Sequence, residues 1–127
     1  MEPKERLGRA REQLAKVQTA WLEPTDWSDL TVYGMYACEN AVVAAANILR
    51  IKVKKSHWDK VAVAHELHEK HGLPDITALL EELNELRKGF SYGEVTAEPT
   101  MPAEEIAAEI ENFMHAVAAL LDAAEDE

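Results

Sequence analysis

Apolar residues recur at steps of three and four through most of this 127-residue chain. That spacing puts side chains on one face of an α-helix. Leu7, Leu14, Val17 and Trp21 predict a first helix over Lys4–Trp21, with Pro3 in its first turn and Pro24 as its stop. The linker is short, so a second helix should run antiparallel beside it. That second segment covers Trp27–Arg50, with Asp26 or Ser28 as its cap. A third runs from the capping pattern Ser56-His57-Trp58-Asp59 to His71, where Gly72 supplies a C-terminal stop. A fourth follows Asp75 with the stripe Ile76, Leu79, Leu80, Leu83 and Leu86, and Gly93 ends it. After the loop Glu94–Thr100, Pro99 and Pro102 frame a fifth helix. It turns Ile106, Ile110, Phe113, Val117 and Leu120 or Leu121 to the core. The alternating stretch Ile51–Lys55 has no strand partner and reads as an irregular connection.

The expected fold is all-α: an up-and-down four-helix bundle with one additional helix. One domain spans 1–127, with its core at about 4–121 and an acidic frayed tail at 122–127. The second helix should be the centre. Gly34 and Cys38, and Ala37, Ala41 and Ala45, form rows of small residues that admit close neighbours. Such contacts would offset the roughly 1 kcal/mol cost of a mid-helix glycine. Glu39 and Asn40 are its strongly polar interior residues. The same Gly34/Cys38/Ala41/Ala45 face is open to an alternative use as a self-association surface.

Net charge is −11, and it is uneven. From Glu94 onward there are ten acidic residues and no Lys or Arg, which leaves 13 basic and 14 acidic residues before it. The total argues against nonspecific nucleic-acid binding, which needs basic neutralisation of phosphates. Local chemistry differs. Arg50, Lys52, Lys54 and Lys55, with Lys60 nearby, form a basic loop able to hold a phosphate or to stay a solvated connector. No apolar run approaches the roughly 20 residues that span a bilayer, so no membrane association is expected. The N-terminus lacks a signal-peptide core. The lone Cys38 cannot form an internal disulfide. Cytoplasm is the expected compartment, and no cofactor is expected.

Candidate chemistry is sparse. His65, His68 and His71 stand three apart, so His65 and His68 share a helix face and form a weak alternative metal pair. Three steps of three drift around the helix, and solvated histidines are the plainer reading. Cys38 reads as a packed, inert thiol. Arg87 closes the fourth helix five residues before Tyr92. An arginine there can hold a phosphate bidentately, and the tyrosine can donate a hydrogen bond or stack on a base. The plainer reading pairs Arg87 with Glu39 or another acid, with Tyr92 packed across the bundle.

Three features in order resemble the HEPN superfamily, the helical domains of prokaryotic toxin and nucleotidyltransferase-associated proteins. They are the helix Tyr33-Gly-Met-Tyr36-Ala-Cys-Glu39-Asn-Ala-Val-Val-Ala-Ala-Ala-Asn47, the helix from His57 to His71-Gly72, and Leu83-x-x-Leu86-Arg87 leading into an aromatic. The resemblance covers about residues 28–93. It implies a four-helix core with an added helix, a homodimer across the cleft that carries the arginine, and in some members a nucleotidyltransferase partner. Active members have four to six variable residues between the arginine and a histidine, and cleave RNA without metal. Here that window holds Tyr92, Gly93 and Glu94, none of which replaces imidazole near neutral pH. The resemblance therefore implies a non-catalytic module binding a nucleotide, an RNA end or a protein partner through Arg87, Tyr92 and Glu39. One alternative is a divergent ribonuclease whose histidine comes from His57 or His115. The other is a helical interaction protein without a small ligand.

Overall fold

A computed structural model describes residues 1–22, 25–91 and 101–126. Five helices make the fold: α1 Pro3–Trp21, α2 Trp27–Ile48, α3 His57–His71, α4 Thr77–Ser91 and α5 Ala103–Glu125. Among the described residues there is no strand, and 51–54 form the irregular connection expected of them. The stops assigned to Pro24 and Gly93, the loop Glu94–Thr100 and Tyr92 lie outside the described residues.

Local signals set the helix starts. Asp26, rather than Ser28, caps α2 by accepting from the Asp29 amide at 3.0 Å. Ser56 accepts from the Asp59 amide at 3.2 Å and caps α3. The return half of that capping box is not made. Asp59 instead accepts from the backbone amide of Lys54, which ties the connection down against the start of α3. Asp75 accepts from the Thr77 amide at 3.0 Å at the start of α4. That bond is the main reason its carboxyl sits below the usual range.

The helix ends differ from one another. α3 stops at Gly72, whose φ of 71° is left-handed. α2 ends two residues earlier than expected, at Ile48. Arg50 then takes the left-handed position at φ 59°. The amide of Ile51 donates to Ala46 O at 2.8 Å and that of Arg50 to Asn47 O at 3.3 Å. This is the paired closure that usually recruits glycine. An arginine holds it here because Ile51, just beyond, packs against the core.

α2 is the hub and packs against each of the other four helices. Its contact with α1 is the most extensive, and α3 rests only on α2 and α4 among the main helix pairs. α1 and α2 run antiparallel: Gln13 meets Asn40, while further along α1 Val17 approaches Gly34. The core is built from the predicted stripes, including Leu7, Leu14 and Val17 of α1, Leu80 and Leu83 of α4, and Ile106, Ile110, Phe113 and Val117 of α5.

The small residues of α2 are buried inside this one chain. Ala37, Cys38, Ala41 and Ala45 are at most 1% exposed. The face considered for self-association is therefore occupied by the chain's own helices. Gly34 also differs from expectation. A Cβ there would lie 3.5 Å from Leu83 Cδ1, 3.6 Å from Ile110 Cδ1 and 3.9 Å from Val17 Cγ2. Those atoms are side-chain tips at ordinary contact distance, not an encroaching backbone. No described helix is long and apolar enough to cross a membrane.

Candidate functional site

A cleft of about 650 Å³ opens where α1, α2, the 49–56 connection and the start of α3 meet. The volume lies within the range of roughly 300–1,000 Å³ found for small-molecule sites. Helical periodicity assembles two of its walls. Arg6 and Gln13 are seven apart on α1, two turns along one face. Tyr36, Glu39, Asn40, Val43 and Asn47 repeat along α2 at the same kind of interval. The connection contributes Val53, Lys54 and Lys55, and the first turn of α3 contributes Lys60.

A polar relay fixes the α1–α2 wall. Arg6 Nη1 donates to Asn40 Oδ1 at 3.1 Å, and Asn40 Nδ2 donates to Gln13 Oε1 at 2.8 Å. A guanidinium can only donate, so the amide atom facing it must be the oxygen. That orients Asn40, and Asn40 in turn orients Gln13. The far wall is ionic. Glu39 Oε2 lies 3.2 Å from His57 Nδ1, and Glu39 Oε1 lies 3.6 Å from Lys60 Nζ. Glu39, His57 and Lys60 side chains are 13%, 15% and 20% exposed, so the cluster is largely withdrawn from water. His57 also meets the Trp58 ring edge-on at 5.7 Å. Trp58 itself is well exposed, with Lys88 Nζ 5.9 Å from its ring centre.

The cleft is cationic on an acidic protein. Among the described residues its lining carries Arg6, Lys54, Lys55 and Lys60 against the single carboxylate of Glu39. Low-dielectric walls around charges of one sign concentrate their field on whatever enters.

The expected site residues fall in different places. Lys54 and Lys55 of the basic loop line the cleft; Arg50 and Lys52 are exposed outside it. Glu39 lines the cleft, but its carboxylate is engaged by His57 and Lys60. Arg87 is not part of this lining. Its Nη2 donates to Asn84 Oδ1 at 2.9 Å, and its Nε is buried without a hydrogen-bond partner among the described residues. The expected Arg87–Glu39 pair is thus replaced by two separate arrangements. Asn84, almost fully buried, lies one turn before Arg87 and so takes the guanidinium locally. Tyr92 lies outside the described residues.

The histidines divide similarly. His68 Nδ1 bonds Leu73 O at 2.8 Å, which uses that ring in holding the α3–α4 connection, while His65 is exposed. Among the described residues no three His, Cys, Asp or Glu side chains group to hold a metal ion. His115 is largely exposed and pairs with Glu111 one turn away at 3.8 Å. Cys38 is buried, and burial pushes its thiol far above the ordinary range, with Glu39 and Glu109 adding to the effect.

Arg6, Gln13 and Tyr36 are site residues that sequence reasoning missed. The available signal was the pair Arg6 and Gln13, both flanking the Leu7–Leu14 stripe. Helical polar faces are common, so that signal had no direction until α2 lay beside it. Comparison with protein-family models, with curated proteins and with solved structures finds no match to the chain.

Proposed function

We propose that this protein is a non-catalytic helical module that binds a phosphate-bearing ligand, a nucleotide or an RNA end, in the cleft between α1, α2 and the 49–56 connection. The observation that carries the reading is the gathering of Arg6, Lys54, Lys55 and Lys60 around one volume in a chain of net charge −11. Cations drawn from three elements at one cleft give an anion both charge and donors. The relay Arg6–Asn40–Gln13 holds part of the donor set in place before the ligand arrives, which lowers the ordering cost of binding. This reading keeps the non-catalytic branch of the HEPN resemblance and moves its ligand from Arg87 to the cleft.

The test is an amide chemical-shift titration with adenosine 5′-monophosphate. The expected result is perturbation centred on Arg6, Lys54, Lys55 and Lys60, weakened in Lys60→Gln. Perturbation centred on Arg87 would return the site to the end of α4. A silent titration at millimolar ligand would remove the nucleotide reading.

One observation supports a second reading, a divergent ribonuclease. The His57–Glu39 pair stands beside the cationic cleft, and a carboxylate-oriented imidazole is a common proton-transfer group. Metal-free incubation with RNA separates the two. Cleavage lost in His57→Ala supports the nuclease; intact RNA supports the binding module.

A further inference from the structure

The relay also determines which kind of hydrogen bond the cleft can offer. Asn40 Oδ1 already accepts from Arg6, and Gln13 Oε1 already accepts from Asn40. Each amide oxygen has one lone pair engaged, while the N–H donors still free at that wall are Gln13 Nε2, the second hydrogen of Asn40 Nδ2 and the remaining Nη hydrogens of Arg6, whose Nε is buried. Lys54, Lys55 and Lys60 add ammonium donors opposite. Glu39, the one anionic acceptor of the lining, is held by His57 and Lys60. Asp59 is not part of the lining; its carboxylate accepts from the Lys54 backbone amide at the rim and keeps its charge there.

A donor-rich cleft with four cationic side chains and one carboxylate has a side-chain excess of three positive charges, and Met1, which bears the amino terminus, lines it as well. A single phosphate monoester carries only about −1.5 to −2 near neutral pH. One phosphate would leave positive charge uncompensated and donors unmatched. We propose that the cleft selects a ligand with two adjacent phosphates, the α1–α2 relay gripping one and the lysines of the connection and α3 the other. The assignment rests on the phosphate-ligand reading above and narrows it to diphosphates. Inorganic pyrophosphate and a nucleoside diphosphate share that chemistry. The apolar and aromatic lining at Tyr36, Val43 and Val53 is where the second would gain affinity over the first.

Calorimetric titration of the whole chain, with EDTA present, tests this using orthophosphate, pyrophosphate, adenosine monophosphate and adenosine diphosphate at one ionic strength. Each diphosphate is expected to bind about tenfold or more tighter than its monophosphate counterpart, the effect of an added charge-assisted contact. Adenosine diphosphate binding tighter than pyrophosphate identifies the organic ligand, and equal binding identifies the diphosphate alone; both support the proposal. Gln13→Glu replaces a donor with an acceptor of the same shape and should abolish the preference. Lys55→Glu, on the exposed connection, should do the same without touching the core; Arg50→Ala, outside the cleft, should not. Equal affinity for mono- and diphosphates, with binding still lost in Lys60→Gln, overturns the diphosphate assignment and leaves the phosphate reading standing. If none of the four probes binds, both fall.

Discussion

His57 Nδ1 lies 3.2 Å from Glu39 Oε2, and the contact ties the first turn of α3 to the middle of α2. Lys60 holds the other oxygen of the same carboxylate. α3 has few other neighbours, so this cluster matters to its docking as well as to the cleft. Glu39→Gln keeps the shape and removes the charge. It should lower stability by about 1 kcal/mol, the usual worth of such a contact, as read from urea unfolding. It should also tighten phosphate binding, since the cleft loses its own anion. Weaker binding would instead make Glu39 a direct ligand-holding group.

Gly34→Ala should stabilise the protein. The new methyl meets Leu83, Ile110 and Val17 at 3.5–3.9 Å, ordinary contact distances, and alanine favours a helix over glycine by about 1 kcal/mol. A higher urea midpoint with an unchanged slope is the expected result. A lower midpoint would mean that the neighbouring helices need to approach α2 more closely than these distances indicate.

Arg50→Gly should also stabilise. Arg50 occupies left-handed backbone at φ 59°, which costs an L-residue with a side chain about 1–2 kcal/mol relative to glycine. Part of the gain is offset by the greater freedom of glycine in the unfolded chain. Thermal unfolding reads the shift. Phosphate affinity should be unchanged, because Arg50 does not line the cleft.

Glu109 provides a pH signature. Desolvation, then Glu105 and Glu82, raise its carboxyl above the ordinary 4.5. A raised folded-state value means that the protonated form is favoured by folding. Its contribution is complete below about pH 4.5 and is lost as pH rises through the raised value. Glu109→Gln should therefore be more stable than the parent at neutral pH, by about 0.5 kcal/mol at this partly exposed site. The advantage should fade as pH is lowered toward 4.5 and be gone below it. Paired unfolding curves across that range check it; a difference independent of pH would assign the gain to packing instead.

Much of the architecture was legible because it depends on neighbours in sequence. The Leu7–Leu14–Val17 and Ile106–Ile110–Phe113 stripes are three- and four-residue periodicities, and they became the buried faces of α1 and α5. The caps at Asp26, Ser56 and Asp75 and the stop at Gly72 act within one turn. The site was legible only in part. Lys54 and Lys55 were marked by local charge density. Arg6 and Gln13 carried no such mark, since their importance comes from Asn40, 34 and 27 positions away.

The chain's own order of residues thus determined five helices, the caps at Ser56 and Asp75 and a basic connection, because backbone propensity, capping and apolar periodicity are short-range. Tertiary structure decided the rest. It enclosed the small-residue row of α2 among the other helices. It gave Arg87 to Asn84 and Glu39 to His57 and Lys60. It brought Arg6 of α1 to face the lysines around the start of α3 across one cleft. Electrostatic partnership depends on distance in space, and that distance is set only when the antiparallel α1–α2 pair and the docking of α3 fix which faces meet.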